Sequence, residues 1–205
     1  HPVTELVYGV DLVREQLRIA QGLPMQLPSG SLTPRGWSLE CRITSEDPAN
    51  GFLPSTGRLE YLRPPAGPGV RWDGGFETGN DITLFYDSLL GKVIVWGPDR
   101  AEAINRMRRA LQELVVVGVA TNQSFHLRLL ADDAFLAGDI DSQFLDRRTD
   151  LVQPSDAPAH STALAVAAAL AEEARRQSRK PILVENSSTD GSGGWLRTAR
   201  REGLR

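Results

Sequence analysis

One arginine carries the clearest chemical signal in this chain. Around it, Leu39, Cys41 and Ile43 alternate with Glu40, Arg42 and Thr44, the period of a strand with one face in a core and the other toward a cleft. Arg42 therefore projects from a rigid element. Glu46-Asp47-Pro48 and the segment Gly51 to Gly57 then supply turn residues that end the strand and fold the chain back. A guanidinium held on a strand suits an oxyanion, because its planar fork of donors is always charged and loses little freedom on binding. The competing description of an isolated strand arginine is a solvated or ion-paired surface residue, and the local pattern leaves both open. Cys41 faces the apolar side with no histidine near it in sequence, so a nucleophilic thiol is not expected. His1, His126 and His160 stand at no ligand spacing and form no metal set.

The elements that must position Arg42 follow from periodicity. Val3 to Gly22 is helical in pattern, with Asp11 as an N-cap, Val13, Leu17 and Ala20 on one face, and Gly22 and Pro24 as the stop. Residues 23–36 hold Pro24, Pro28, Gly30 and Pro34 and read as a connecting loop. A strand is expected at 37–44. Arg58 to Arg63 and Val70 to Trp72 also alternate, and the proline- and glycine-rich stretch between them predicts antiparallel neighbours. Ile82 to Trp96 is apolar with few breaks and reads as a strand covered on both faces.

The clearest helix spans 100–114, with Asp99 and Glu102 at capping-box spacing and Ile104, Met107, Leu111 and Leu114 recurring on one side. Met107 is read as core packing, and Glu102 precedes Arg106 in the favourable orientation for an ion pair. Asn122 is expected to cap a shorter helix holding Phe125 and Leu129 on one side. Beyond Asp146, Pro154 and Pro158 mark a linker, and Ser161 caps an alanine-rich helix to about Lys180. Residues 186–194 read as a flexible linker by composition.

Composition bounds the function classes. Of 205 residues, 40% are hydrophobic and 24% charged, enough apolar material for a core and against wholesale disorder. A net charge of -3 gives no basic footprint for nucleic acid, and the sequence has no apolar run long enough to span a membrane. The single cysteine allows no internal disulfide and fits a reducing cytosol.

The run ECRITSEDP followed by GFLPSTG resembles the ECRINAEDP and FLPSPG signature of biotin carboxylases, the ATP-dependent subunits or domains of biotin-dependent carboxylases. HPVTELVYGVDLVREQLRIA, YDSLLGKVIVWG and AINRMRRALQEL match in order, so the resemblance covers residues 1–146. It implies an α+β fold: a mixed, mainly antiparallel sheet with packed helices, preceded by a helical remnant and followed by a helix and tail. The implied division is 1–22 as the end of an ATP-grasp domain, 23–36 as connecting loop, 37–146 as the biotin carboxylase C-terminal domain, 147–185 as linker and helix, and 186–205 as flexible linker and the start of a following region. The catalytic arginine and glutamate of an NTRLQVE-like segment, and the ATP-grasp portion with its glycine loop and magnesium carboxylates, would lie upstream of His1. The chain is accordingly read as a fragment, expected to be inactive alone.

In the family, bicarbonate and ATP form carboxyphosphate, which releases carbon dioxide for capture by deprotonated biotin. The resemblance makes Arg42 the residue that holds bicarbonate and the ureido oxygen of biotin, and Asp87 a neighbour of the biotin pocket. It puts Arg71 at a homodimer interface; Ser142 falls near the edge of the adenine pocket in the family, with an ordinary surface serine as the favoured reading. An ion-paired loop carboxylate is the plainer alternative for Asp87, and a surface salt bridge for Arg71. Implied cofactors are ATP, Mg and biotin on a carrier domain. Implied partners are the ATP-grasp portion, the biotin carboxyl carrier domain and a carboxyltransferase, in an acyl-CoA carboxylase of the cytoplasm. Neither nucleic acid nor membrane is expected as a partner. The rival expectation is a noncatalytic dimerisation or docking module for a separate ATP-grasp chain. Trp37, Thr44, Ser45, Thr56 and Pro68 depart from the usual residues, which bears on fine positioning and on dimer affinity.

Overall fold

The computed structural model describes residues 1–27 and 32–152. In chain order the elements are α1 (Pro2–Tyr8), α2 (Leu12–Ala20), β1 (Trp37–Thr44), β2 (Glu46–Asp47), β3 (Leu53–Pro54), β4 (Gly57–Arg58), β5 (Tyr61–Arg63), β6 (Val70–Gly74), β7 (Asp81–Ile82), β8 (Leu89–Gly97), α3 (Arg100–Glu113), β9 (Val115–Val117), α4 (Gln123–Leu129), α5 (Asp133–Ala137) and α6 (Phe144–Arg147), with 3-10 turns at Pro48–Asn50 and Thr149–Leu151. This is the expected α+β class with antiparallel pairing. The helix and linkers expected beyond residue 152 lie outside the described residues.

The central unit is a three-stranded antiparallel sheet in the order β1-β8-β6. Alternate residues of each strand face α3. Cys41 and Ile43 of β1 and Val93 and Val95 of β8 join Ala103, Ile104, Met107, Ala110, Leu111 and Leu114 in one buried cluster, with Trp72 of β6 packed against it. Burying each large side chain there contributes on the order of 1.5–3 kcal/mol. The Asp99 carboxylate accepts from the Glu102 amide at 2.8 Å, and Arg106 pairs with Glu102 at 3.1 Å, as their spacing predicts. The sheet and helix meet closely at Gly97, where a Cβ would lie 2.7 Å from the Ala103 backbone nitrogen. β8 is covered on both sides as expected: Ile94, on the face away from α3, is fully buried where α1 lies against β1 and β8.

Four local expectations are corrected. The segment Val3 to Gly22 is two helices, because Gly9 adopts a left-handed conformation (φ 69°) that terminates α1, and Asp11 then caps α2 by accepting from the Arg14 amide. Residues 58–63 and 70–72 do not pair with each other; β4 pairs β7, β5 pairs β9, and β6 pairs β8. The run from Ile82 to Trp96 is two strands that join different sheets, so the chain between them leaves the ladder and exposes Leu84, Phe85 and Tyr86. Asn122 precedes α4 but makes no side-chain cap, since its amide is engaged with β1.

The apolar face of α2 is uncovered, with Leu17 61% exposed. Past Asp146 the chain continues to pack. Leu151 joins Phe125 and Phe144 in a second small cluster, and Arg128 donates to the Leu151 carbonyl at 2.7 Å.

Candidate anion site on the polar face of the sheet

The residues that alternate with the core form the other face of the same sheet. Arg42 of β1 lies opposite Lys92 of β8, which lies opposite Asp73 of β6; Arg71 stands opposite Ile94, as does Glu40 from the other side. Glu40, Arg42, Lys92, Arg71 and Asp73 therefore share one surface. The Glu40 carboxylate approaches both the Arg42 Nε at 3.7 Å and the Lys92 Nζ at 3.9 Å, beyond hydrogen-bond range, and its Oε2 is buried with no hydrogen-bond partner. The Arg42 side chain is 69% exposed, and its guanidinium makes no hydrogen bond among the described residues. Two cations against one carboxylate, with the guanidinium fork unspent, make this a surface that favours an added anion.

Arg71 is spent differently. Its guanidinium grips Asp73 through two bonds of 2.7 and 2.6 Å and reaches Glu5 of α1 at 2.8 Å. Hydrogen bonds to Asp73 and then Glu5 raise its pKa further above the ordinary arginine range. It ties the first helix to the sheet.

Arg42 is held from behind and from the side. Cys41 and Ile43, its chain neighbours, are buried under α3, and burial, with the charge of Glu40, pushes the Cys41 thiol up to about 12. That thiol is protonated near neutral pH, in line with its expected inertness. β1 is an edge strand, and α4 covers its outer edge here. The Arg42 carbonyl accepts from Asn122 Nδ2 and from His126 Nε2, both at 3.0 Å, and the Thr44 amide donates to Asn122 Oδ1 at 3.0 Å. Burial lowers the pKa of His126, partly offset by its bond to the Arg42 carbonyl.

Past Arg42 the pairing with β8 is irregular between Ile43 and Thr44, and a polar knot closes the strand end. Glu46 accepts from Thr44 Oγ1 at 3.0 Å and from Ser88 Oγ at 2.5 Å, while Ser45 donates its amide to the Ser88 carbonyl at 2.8 Å. Asp87 sits in this loop and accepts from the Leu89 amide at 2.8 Å, the turn bond that opens β8. The structure thus brings Arg42 and Arg71 to one face, separated by β8, and puts Asp87 at the strand end without an ion pair to Arg42 among the described contacts. Ser142 is exposed between α5 and α6.

Nothing in the sequence pattern assigned Glu40, Lys92, Asn122 or His126 to the surroundings of Arg42. The alternation of β1 could have indicated Glu40, two residues from Arg42 on the same face; the other three depend on pairings distant in the chain. Among the described residues no group of three or more His, Cys, Asp and Glu side chains gathers to hold a metal.

Residues 40–147, just over half of the chain, match the family profile described as the biotin carboxylase C-terminal domain. The chain belongs to that family. It is 50% identical to the biotin carboxylase of Nostoc sp. over 145 residues, covering 71% of this chain and 32% of the relative. It is 43% identical to the human mitochondrial propionyl-CoA carboxylase alpha chain over 147 residues, 71% of this chain and 20% of that one. Among solved structures, the biotin carboxylase domain dimer of the Hydrogenobacter thermophilus 2-oxoglutarate carboxylase, in complex with MgADP, ADP and bicarbonate, superimposes with a TM-score of 0.71 at 37% identity. That match covers 76% of this chain and 34% of the other. The chain corresponds to the C-terminal portion of these ATP-dependent ligases and spans about a third of the Nostoc relative's length. Among the described residues no helix is long and apolar enough to cross a membrane.

Proposed function

We propose that this chain supplies the C-terminal domain of a working biotin carboxylase, within which Arg42 binds bicarbonate and the ureido oxygen of biotin. The observation that carries this is the Arg42 guanidinium itself, fixed at its backbone, exposed at its tip and unspent, beside Lys92. Biotin, when present on its carrier, supplies the nitrogen that accepts the carboxyl group. Arg42 presents a fixed charge to the oxygen on which negative charge grows as the ureido N–H is lost, an interaction stronger in the transition state than in the ground state.

Asp87, at the strand end beyond Arg42, is proposed to flank the biotin approach. Arg71, oriented by Asp73 and Glu5, is proposed to stand at the homodimer surface. The domain division at residues 22, 36, 146 and 185 belongs to the same reading, as do a cytoplasmic location and partnership with a carrier domain and a carboxyltransferase. In this reading ATP and Mg are held by the ATP-grasp portion of the complete enzyme.

The test joins the ATP-grasp portion of the Nostoc relative to this chain and measures carboxylation of free biotin. Activity is expected, and Arg42→Ala should lower turnover on the order of 10² to 10³-fold, the loss seen when one donor to a developing oxyanion is removed. Arg42→Lys should recover part of it, because one ammonium cannot hold two oxygens in the plane of a fork. An active fusion in which Arg42→Ala turns over at the parent rate overturns the assignment and favours a noncatalytic docking role for the domain.

A further inference from the structure

We propose, resting on the reading of Arg42 given above, that Asn122 and His126 are positioning residues that hold the backbone of Arg42, and through it the guanidinium, at the anion site. β1 is at the sheet edge, so the outward amides and carbonyls of its last residues have no neighbouring strand. Asn122 takes that neighbour's place. Its Nδ2 donates to the Arg42 carbonyl and its Oδ1 accepts from the Thr44 amide, both at 3.0 Å, while its own backbone amide donates to the Thr44 carbonyl at 3.3 Å. One residue thus reproduces the donor and acceptor alternation of a ladder.

His126, one turn along α4, donates a second bond to the same Arg42 carbonyl at 3.0 Å. A carbonyl can only accept, so Nε2 carries a hydrogen and the tautomer is fixed.

The location gives these bonds their importance. The ladder to β8 is irregular between Ile43 and Thr44, and a register change there would swing the Arg42 side chain toward the opposite face. The guanidinium is on a long, exposed side chain, so what the fold fixes is the Cα and the direction of Cβ. Asn122, buried at 7% exposure, anchors both from outside the sheet. A misplacement of about 1 Å at a reacting centre costs up to about 10²-fold.

The test uses the active fusion described above. Asn122→Ala and His126→Leu should each lower kcat/KM for biotin carboxylation by about 10- to 10²-fold while leaving the KM for ATP unchanged. His126→Gln, which keeps an N–H donor at similar reach, should recover most of the loss. Because both residues act through Arg42, adding His126→Leu to Arg42→Ala should cause little further loss. A purely structural role would instead lower thermal stability alike in His126→Leu and His126→Gln and leave kcat/KM per folded molecule at the parent value, and that result overturns the proposal. Should Asn122→Ala fail to fold, the His126 pair decides alone. If Arg42→Ala itself is without effect, the reading of the site falls. If Arg42→Ala is crippled while His126→Leu is unaffected, only the positioning role does.

Discussion

The two faces of the β1-β8-β6 sheet are built from alternate residues of the same strands, yet they do opposite work. Toward α3, Cys41, Ile43, Val93 and Val95 are almost wholly buried among aliphatic side chains. On the other side, Glu40, Arg42, Lys92, Arg71 and Asp73 hold charges at distances that range from tight ion pairs to loose approaches. The first face determines whether the sheet exists; the second uses the rigidity that results. A charge on a flexible loop would lose entropy on binding an anion, whereas one whose immediate chain neighbours are locked in a core has lost most of its backbone freedom already.

Loss of apolar bulk beneath the sheet should have the largest effect. Leu111→Ala, at a fully buried position under the sheet, should cost about 2–5 kcal/mol of stability. Urea denaturation of the 205-residue chain should report this as a lower midpoint at unchanged slope. Arg42→Ala, on the opposite face of the sheet, should leave the unfolding free energy within about 0.5 kcal/mol of the parent, as expected for an exposed side chain. A large stability loss in Arg42→Ala would mean that the polar face is structural too.

Cys41 probes the same boundary chemically. Burial, with the charge of Glu40, pushes its thiol up to about 12, so thiolate is scarce near neutral pH. Alkylation of the native chain should be slower than that of the urea-unfolded chain by at least about 10²-fold. Comparable rates would mean that β1 opens readily, and the rigidity assigned to Arg42 would be lost with it.

A smaller effect concerns pH. Because burial lowers the folded-state pKa of His126, the unfolded chain binds more protons between that value and the ordinary one of about 6.5. Stability from the neutral ring is therefore complete above about pH 6.5 and is lost as pH falls through the folded-state pKa. Midpoint against pH should fall more steeply for the parent than for His126→Gln, a comparison that cancels the carboxylates common to both. Parallel curves would show that His126 titrates as if in water.

What the sequence made legible was local. The alternation of β1, the Asp99 cap of α3, the pairing of Glu102 with Arg106 and the burial of Met107 all depend on residues within a few positions of one another. Pairing partners are set by chain segments far apart, so the neighbours of 58–63 and 70–72 could not be read from their patterns. Asn122 is the instructive case. Its position just before a helix gives a local reason to cap, but the open edge of β1, nearly eighty residues earlier, outbids the helix for its amide. The place of Arg42 on a strand, facing away from the core, was legible from the strand period; the groups that bond its carbonyl were not, because they come from α4 and the residue before it.

The cover on β1 has a consequence for how copies of this protein behave at high concentration. An uncovered edge strand offers its outward amides and carbonyls to any extended chain, which is how sheets recruit one another into aggregates. Between Arg42 and Thr44 those groups are already saturated by a side chain and a helix start, with no strand added. The same few bonds that fix the backbone of Arg42 and Thr44 thus deny a foreign strand its foothold at this end of β1.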